Sequence, residues 1–434
     1  MTTEAVFHPH PPPAPESVKE TGLSEGFLSD LALKTVYHAG EMTAQKVADS
    51  LTLPFVGVVD QVLELLKHEQ FLLVTGGSIL GEQALEYKVT DQGSVRAREA
   101  LLRSQYVGPA PVPLDVYAEC MRGQSVADVA IGPEQVEQAF SHLVLDPEVV
   151  DGLGPAINSG RSIFIYGVPG SGKTTIAEGI GNVLVGSLMV PHAISVEGHV
   201  IKMHDAQYHR PIEAEPPTDG PAPIVRPRPD KRWVRCERPT VIAGGELTLT
   251  DLDLVYDPVA KYYEAPLQLR ANGGMLLIDD FGRQQVRPVD LLNRWMVPLE
   301  SRSDFMTLHT GRKVEVPFDT LIVFSTNLEP RDLVDEAFLR RIRHKIEVGV
   351  PNAEQIRTIM QRVCKARGVP YSDEGFNHLA QEWYGKHGIQ PRGVHPRDIV
   401  DQLVDICRYR SIEPALTPEL VEAACRSYFV ITFF

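Results

Sequence analysis

The chain has 434 residues, 43% of them hydrophobic and 23% charged, which suits two or three domains with buried cores. Its formal net charge of −15 argues against chain-wide attraction to nucleic acid or to an anionic membrane. Five scattered cysteines, none in a CxxC pair, give no disulfide framework and no zinc site, and fit a reducing, cytoplasmic setting. The first residues lack a basic-then-apolar signal, and no apolar run approaches the roughly 20 residues of a membrane helix, so no membrane insertion is expected.

Residues 1–24, with "HPHPPPAP", are expected to form a disordered or extended tail. A compact segment follows over 27–104. "FLSDLALKTVYHAG" and "TAQKVADSLTL" read as short helices. In "LPFVGVVDQVLELLKHEQ", Val59, Val62, Leu63 and Leu66 recur at i, i+3, i+4 and i+7, one face of a third helix. "FLLVTG" and "YKVTDQG" read as strands, and "SVRAREALLRS" closes the segment as a helix. The proline-rich "YVGPAPVPLD" opens a linker over 105–132. Strands and helices then alternate over 133–350, with an insertion near 206–265, and 351–434 form a C-terminal helical unit.

The chemistry starts at "IFIYGVPGSGKTT". Ile163–Tyr166 read as a buried strand, and Gly167, Gly172, Lys173 and Thr174 satisfy the phosphate-loop pattern GxxxxGK[ST]. The candidate nucleotide-binding residues are Gly167, Val168, Pro169, Gly170, Ser171, Gly172, Lys173, Thr174 and Thr175. Glycines let backbone N–H groups approach phosphate oxygens, and the helix beginning near Lys173 turns its positive end to the anion. Lys173 would reach the β- and γ-phosphates of ATP, and the Thr174 hydroxyl would ligate Mg²⁺.

In "ANGGMLLIDDFGRQ" a second apolar strand, Met275–Ile278, stops at Asp279 and Asp280. Asp279 is the candidate Mg²⁺ carboxylate opposite Thr174. Asp280 stands where many such ATPases carry a water-orienting glutamate, one methylene longer; the plainer reading is a helix cap. "DTLIVFSTN" is a further buried strand, and its Asn327 would sense γ-phosphate or simply occupy a turn. In "DEAFLRRIRHKIEV", Leu339 and Ile342 would face a core, leaving Arg340, Arg341 and Arg343 as a solvated basic face or as an arginine finger.

Across about 133–434, the order of "GVPGSGKTT", "MLLIDDF", "LIVFSTN", "AFLRRI" and "HPRDIV" resembles an AAA+ ATPase module. The resemblance implies that Asn327 is sensor 1, that Arg397 in "HPRD" contacts the γ-phosphate as sensor 2, and that Arg340 or Arg341 reaches ATP in a neighbouring subunit. "ANGGMLLIDDF" is similar to the MoxR-type, magnesium-chelatase and enhancer-binding-activator branches. "DFMTLHTGRKVEVPFDTLIVF" then fits their hairpin, with Thr310-Gly311 near its turn, and "RPTVIAGGELTLTDLDL" lies where they insert extra structure. The Asp-Asp pair departs from their usual Asp-Glu.

The implied fold is α/β: a parallel five-stranded sheet between helices, a small C-terminal helical lid, and an N-terminal winged-helix-like α+β domain. The strands would be Ser162–Tyr166, His199–His204, Met275–Asp279, Leu321–Ser325 and His344–Val348, in the order 5-1-4-3-2. A winged helix can read DNA through its third helix. Here that helix mixes Lys67 and His68 with Asp60, Glu64 and Glu69, which favours a protein contact.

The expected function is a cytoplasmic, Mg²⁺-dependent ATPase that remodels an unidentified protein partner, chaperone-like, as a homo-oligomeric ring, a hexamer. The alternatives are an ATP-controlled DNA-binding regulator and a nucleotide switch with very slow hydrolysis. His192, His199, His204 and His209 read as ordinary loop and strand histidines rather than a metal site. "VRPRPDKRWVR" reads as a solvated basic loop. Tyr208, Tyr262 and Tyr263 fit either a central pore or a core, and the tail "YFVITFF" should bury on the lid or on a neighbouring subunit.

Overall fold

The computed structural model describes residues 11–77, 81–213, 228–333 and 339–429. At its centre is a five-stranded parallel sheet in the spatial order Thr240–Ala243, Met275–Ile278, Leu321–Thr326, Ser162–Tyr166, His344–Glu347. Numbered along the chain and read from the last strand, this is the expected 5-1-4-3-2. Every residue of Met275–Ile278 and of Leu321–Thr326 is buried, as a sheet covered on both faces requires. On one face the helix Lys173–Val183 supplies Ile176, Ala177 and Ile180 to the core; on the other, Pro288–Ser301 supplies Leu291 and Trp295.

One strand differs from expectation. His199–Lys202 lies outside the central sheet, and the second strand is Thr240–Ala243, within the stretch read as inserted structure. Thr240–Ala243 forms the sheet's edge, so its residues alternate: Val241 and Ala243 are buried while Ile242 is 47% exposed. Both are four-residue strands with a central Val-Ile pair, and only their partners distinguish them.

His199–Lys202 belongs to a second, mixed sheet in the order Val255–Tyr256, Tyr263–Glu264, His199–Lys202, Ala193–Val196, Val112–Pro113. Its two faces serve different cores. Ala193 and Val200 pack into the N-terminal module, whereas Ile194, Val196 and Ile201 pack with Met306, Val314 and Val316 of a hairpin. That hairpin, Ser303–Thr307 against Lys313–Pro317, turns through Gly311 at φ 83, where the sequence placed it. Because Val112–Pro113 pairs into this sheet and Leu114–Arg122 is a helix, the segment 105–132 is structured rather than a bare linker.

The N-terminal module contains the helices Glu25–Ala39, Ala44–Leu51, Asp60–His68 and Asp91–Arg103. Ser24, Thr43 and Thr90 cap three of them through side-chain oxygens. Its strands Leu72–Gly76 and Glu86–Val89 are joined by a third, Glu41–Thr43. Val59, Val62, Leu63 and Leu66 are buried together, as their spacing predicts.

The stretch expected as a disordered or extended tail and the stretch expected as a solvated basic loop are both docked. In the tail, Asp230 N–H donates to Pro12 O at 2.9 Å and Ala14 N–H to Arg228 O at 2.7 Å, so residues 11–24 are held; residues 1–10 lie outside the described chain. In the basic loop, Arg232 and Trp233 are buried. Burial of the guanidinium is offset by Asp230, 2.8 Å away, and by the carbonyls of Thr21 and Pro111. The rest of the proline-rich excursion, 214–227, lies outside the described residues.

The C-terminal lid packs helices Ala353–Arg367, Asp373–His378, His395–Arg410 and Pro418–Tyr428 around Met360, Trp383 and Leu403. Phe429 stacks on Trp383 at 5.4 Å, while the remainder of the tail, 430–434, is outside the described residues. Among the described residues, no helix is long and apolar enough to cross a membrane.

Candidate nucleotide site

Parallel strands that end together gather their following loops at one edge of the sheet. Strand Ser162–Tyr166 is followed by Gly167, whose φ of 146 suits glycine; a Cβ there would meet Val348 O at 2.3 Å. Gly170, at φ 78, lies against the lid: Val394 N–H donates to its carbonyl at 3.0 Å, and a Cβ on Gly170 would meet Val394 Cγ1 at 2.7 Å. The helix Lys173–Val183 starts directly after Gly172, so its first N–H groups face the loop.

Lys173 is buried, and its Nζ donates to Gly167 O at 3.0 Å and Val168 O at 2.8 Å. Burial lowers its pKa from the ordinary lysine value, while the charges of Asp280 and Asp279 act in the opposite direction. The lysine sits between the loop and the two acids.

Those acids face different partners. Thr174 Oγ1 donates to Asp279 Oδ1 and Oδ2 at 3.2 and 3.0 Å. Asn327 Nδ2 donates to Asp280 Oδ1 at 3.0 Å. The split arises in the backbone: Asp280 has φ 48, in the left-handed region, so its side chain is re-aimed from the line of the strand. Aspartate is among the few residues that tolerate this conformation, because its short polar side chain bonds locally. Gln284 braces the turn, accepting from Gly282 N–H and donating to Asp279 O, both at 2.8 Å. A threonine hydroxyl beside a carboxylate is a hard-oxygen donor set that fits Mg²⁺.

A cavity of about 590 Å³ opens over the loop. Asp280, Asn327 and Arg397 line it together with Pro169–Thr175. Arg397 stands in the first turn of the lid helix His395–Arg410, its Nε donating to Asp398 Oδ1 at 3.0 Å. Motif reading missed the other walls: His142, Leu143 and Leu145 before the central sheet, Ser325, and Ile359, Arg362 and Val363 from the lid. These residues follow no spacing rule, since they come from separate elements meeting at the sheet edge.

Arg340 and Arg341 are not at this cavity. Ser162 Oγ donates to Arg341 O at 3.2 Å, at the beginning of the strand whose far end leads into Gly167. A strand of that length separates the two ends by about 15 Å. Arg341 Nε donates to Glu300 Oε1 at 2.6 Å. Leu339 and Ile342 turn into the core, as expected.

The histidines serve the mixed sheet and its surroundings. His209 is buried; its Nδ1 accepts from Asp205 N–H at 3.0 Å and its Nε2 lies 2.9 Å from Arg270 O. Burial pushes His209 down to about 4, against the contact with the Arg270 carbonyl. Burial, reinforced by neighbouring His204, does the same to His192, also to about 4. Tyr263 is fully buried, which makes it a core residue rather than a pore aromatic.

A family model for a domain of unknown function (DUF8689) matches residues 352–427, within the lid. Over 87 residues the chain is 29% identical to spastin from Anopheles gambiae, a match covering 20% of this chain and 10% of spastin. Among solved structures, NtrX from Brucella abortus in complex with ADP aligns at 16% identity and TM-score 0.41, over 69% of this chain and 59% of that one. A Thermotoga maritima RuvB mutant aligns at 14% identity and TM-score 0.37, over 70% and 72%. The chain thus spans a tenth of spastin and under two thirds of the NtrX chain. With the phosphate loop and the strand order, the spastin match supports a distant relationship to the AAA+ ATPases.

Proposed function

We propose that this protein is a Mg²⁺-dependent ATPase that remodels a protein partner, working as a ring oligomer, a hexamer, in the cytoplasm. The observation that carries the reading is the division of labour at the strand tips: Asp279 with Thr174, and Asp280 with Asn327, beside Lys173. Bound Mg²⁺ would supply charge neutralisation at the phosphates. Thr174 and Asp279 would hold it, the loop N–H groups would orient the phosphate chain, and Lys173 would turn from the loop carbonyls to the anion. Asp280 would take a water proton while Asn327 fixes the carboxylate. Arg397 stands at the cavity wall as the candidate γ-phosphate contact.

The distance of Arg340 and Arg341 from their own cavity supports a site completed by a neighbouring subunit. Their single alanine variants should each lose turnover, and mixing either with Lys173→Ala should restore part of it. Full activity in both arginine variants would remove the shared-site reading. The N-terminal module supports a protein contact over DNA: Lys67 is paired with Glu64 at 3.0 Å, on a helix that also carries Asp60. A second reading, a slow nucleotide switch, draws on the short Asp280 side chain; single-turnover hydrolysis decides between the two.

A further inference from the structure

The lid helix Ala353–Arg367 is tied to the segment 141–146 at two points. Arg362 Nη1 donates to Ser141 O at 2.9 Å and to Leu143 O at 3.1 Å. Two turns earlier on the same face, Gln355 Nε2 donates to Asp146 Oδ1 at 2.6 Å. Asp146 occupies the N-cap position of the helix Pro147–Asn158 yet makes no side-chain cap bond; its carboxylate is given to Gln355 instead. Gln355 also caps its own helix reciprocally with Asn352, so its amide is fixed on both sides.

Beside these ties, the lid contributes Ile359 and Val363 to the cavity, and the clamped segment contributes Leu143 and Leu145 from the other side. These apolar walls lie in the same cavity as the phosphate loop, where a flat base attached to the phosphate chain would sit. The two ties hold these walls to each other, and no residue of either tie belongs to the loop. We propose that Arg362 and Gln355 are positioning residues that fix the width of a base-binding slot, so that the site selects a nucleoside triphosphate over a bare phosphate chain. This rests on the ATP-site reading above. Arg362 suits the task because a guanidinium presents several donors in a rigid fork, and here one nitrogen serves two carbonyls.

The test compares binding of ATP and of inorganic tripolyphosphate, each with Mg²⁺, by calorimetry on the full chain. Arg362→Ala and the double variant Gln355→Ala/Arg362→Ala should weaken ATP by about tenfold, the scale of losing one or two charge-assisted hydrogen bonds, and weaken tripolyphosphate much less. Arg362→Lys, which keeps a donor, should recover most of the ATP preference. In turnover, the loss should appear in KM for ATP more than in kcat. Equal losses for both ligands, or none, in Arg362→Ala would overturn the proposal, and so would a wild-type protein that binds the two ligands equally. If Arg362→Ala fails to fold, Gln355→Ala alone gives the same ratio to measure. Wild-type protein that binds neither ligand would instead remove the ATP-site reading itself.

Discussion

In the central sheet, the strands Met275–Ile278 and Leu321–Thr326 are buried along their whole length, and charge begins where the first of them stops, at Asp279 and Asp280. The mixed sheet distributes polarity along its strands. Lys202 pairs with Glu264 at 3.5 Å, and Arg270 bridges Asp205 and Glu264 at 2.8 and 3.1 Å. Tyr256 stacks on His309 of the hairpin at 4.2 Å, and Tyr263 hydrogen-bonds the same ring. Helices cover both faces of the first sheet, so polar groups are expelled to its ends, where a ligand can reach them. The faces of the second are claimed by two different modules, and its polar groups fasten its own strands to each other, to Arg270 and to the hairpin. One sheet concentrates chemistry; the other holds parts in register.

If this contrast is right, substitutions at the strand tips should change function with little effect on stability, and substitutions in the mixed sheet should do the reverse. The largest effect is expected for Lys173→Ala, which should weaken ATP binding by about a hundredfold or more, the scale of losing charge-assisted bonds to phosphate. Near wild-type affinity by calorimetry would break the assignment. Next, Asp280→Asn should retain ATP·Mg²⁺ affinity and lose about a hundredfold in single-turnover hydrolysis. Asp279→Asn should instead lower metal dependence and binding together. Asp280→Glu should be slower than wild type, because the longer acid must adopt the same left-handed backbone.

Acid should separate the two sheets. His192 and His209 border the mixed sheet, and both are pushed down to about 4 by burial. A base whose folded pKa is depressed binds more protons when unfolded. Its stabilising share is complete above the unfolded value, about 6.5, and is lost as pH falls from there toward 4. Hydrogen exchange at pH 5 should therefore show earlier loss of protection in 187–209 than in 162–166. Uniform loss would dissolve the distinction. The smallest effect belongs to Tyr263→Phe, which removes the hydroxyl that accepts from His309 N–H at 2.9 Å. A cost of about 1 kcal/mol and a melting shift of about 1 °C are expected, with ATP binding unchanged.

The same contrast explains what could be read in advance. Central strands such as Leu321–Thr326 announce themselves as unbroken apolar runs, and the phosphate loop and Asp279 follow at their tips. Thr240–Ala243 escaped because an edge strand exposes alternate residues and so looks like any short surface strand. The stretch His199–His204 reads as the missing strand because it too sets Val200 and Ile201 between polar residues. Within the site, residues acting through a motif were legible, whereas Arg362, Leu143 and Gln284 were not, since each acts through a contact made only after distant elements meet. Burial of Arg232 was invisible for a similar reason: its neutralising partner is adjacent, but the carbonyls of Thr21 and Pro111 lie far away in sequence.

The hydrogen bond from Val394 to Gly170 bears on timing. It joins the phosphate loop to the lid through backbone alone, and the lid cannot swing clear of the loop without breaking it. Any departure of product that requires the lid to lift must include that rupture. A net worth of about 1 kcal/mol corresponds to roughly fivefold in residence time. How long spent nucleotide stays would then be set in part by a contact that touches no phosphate.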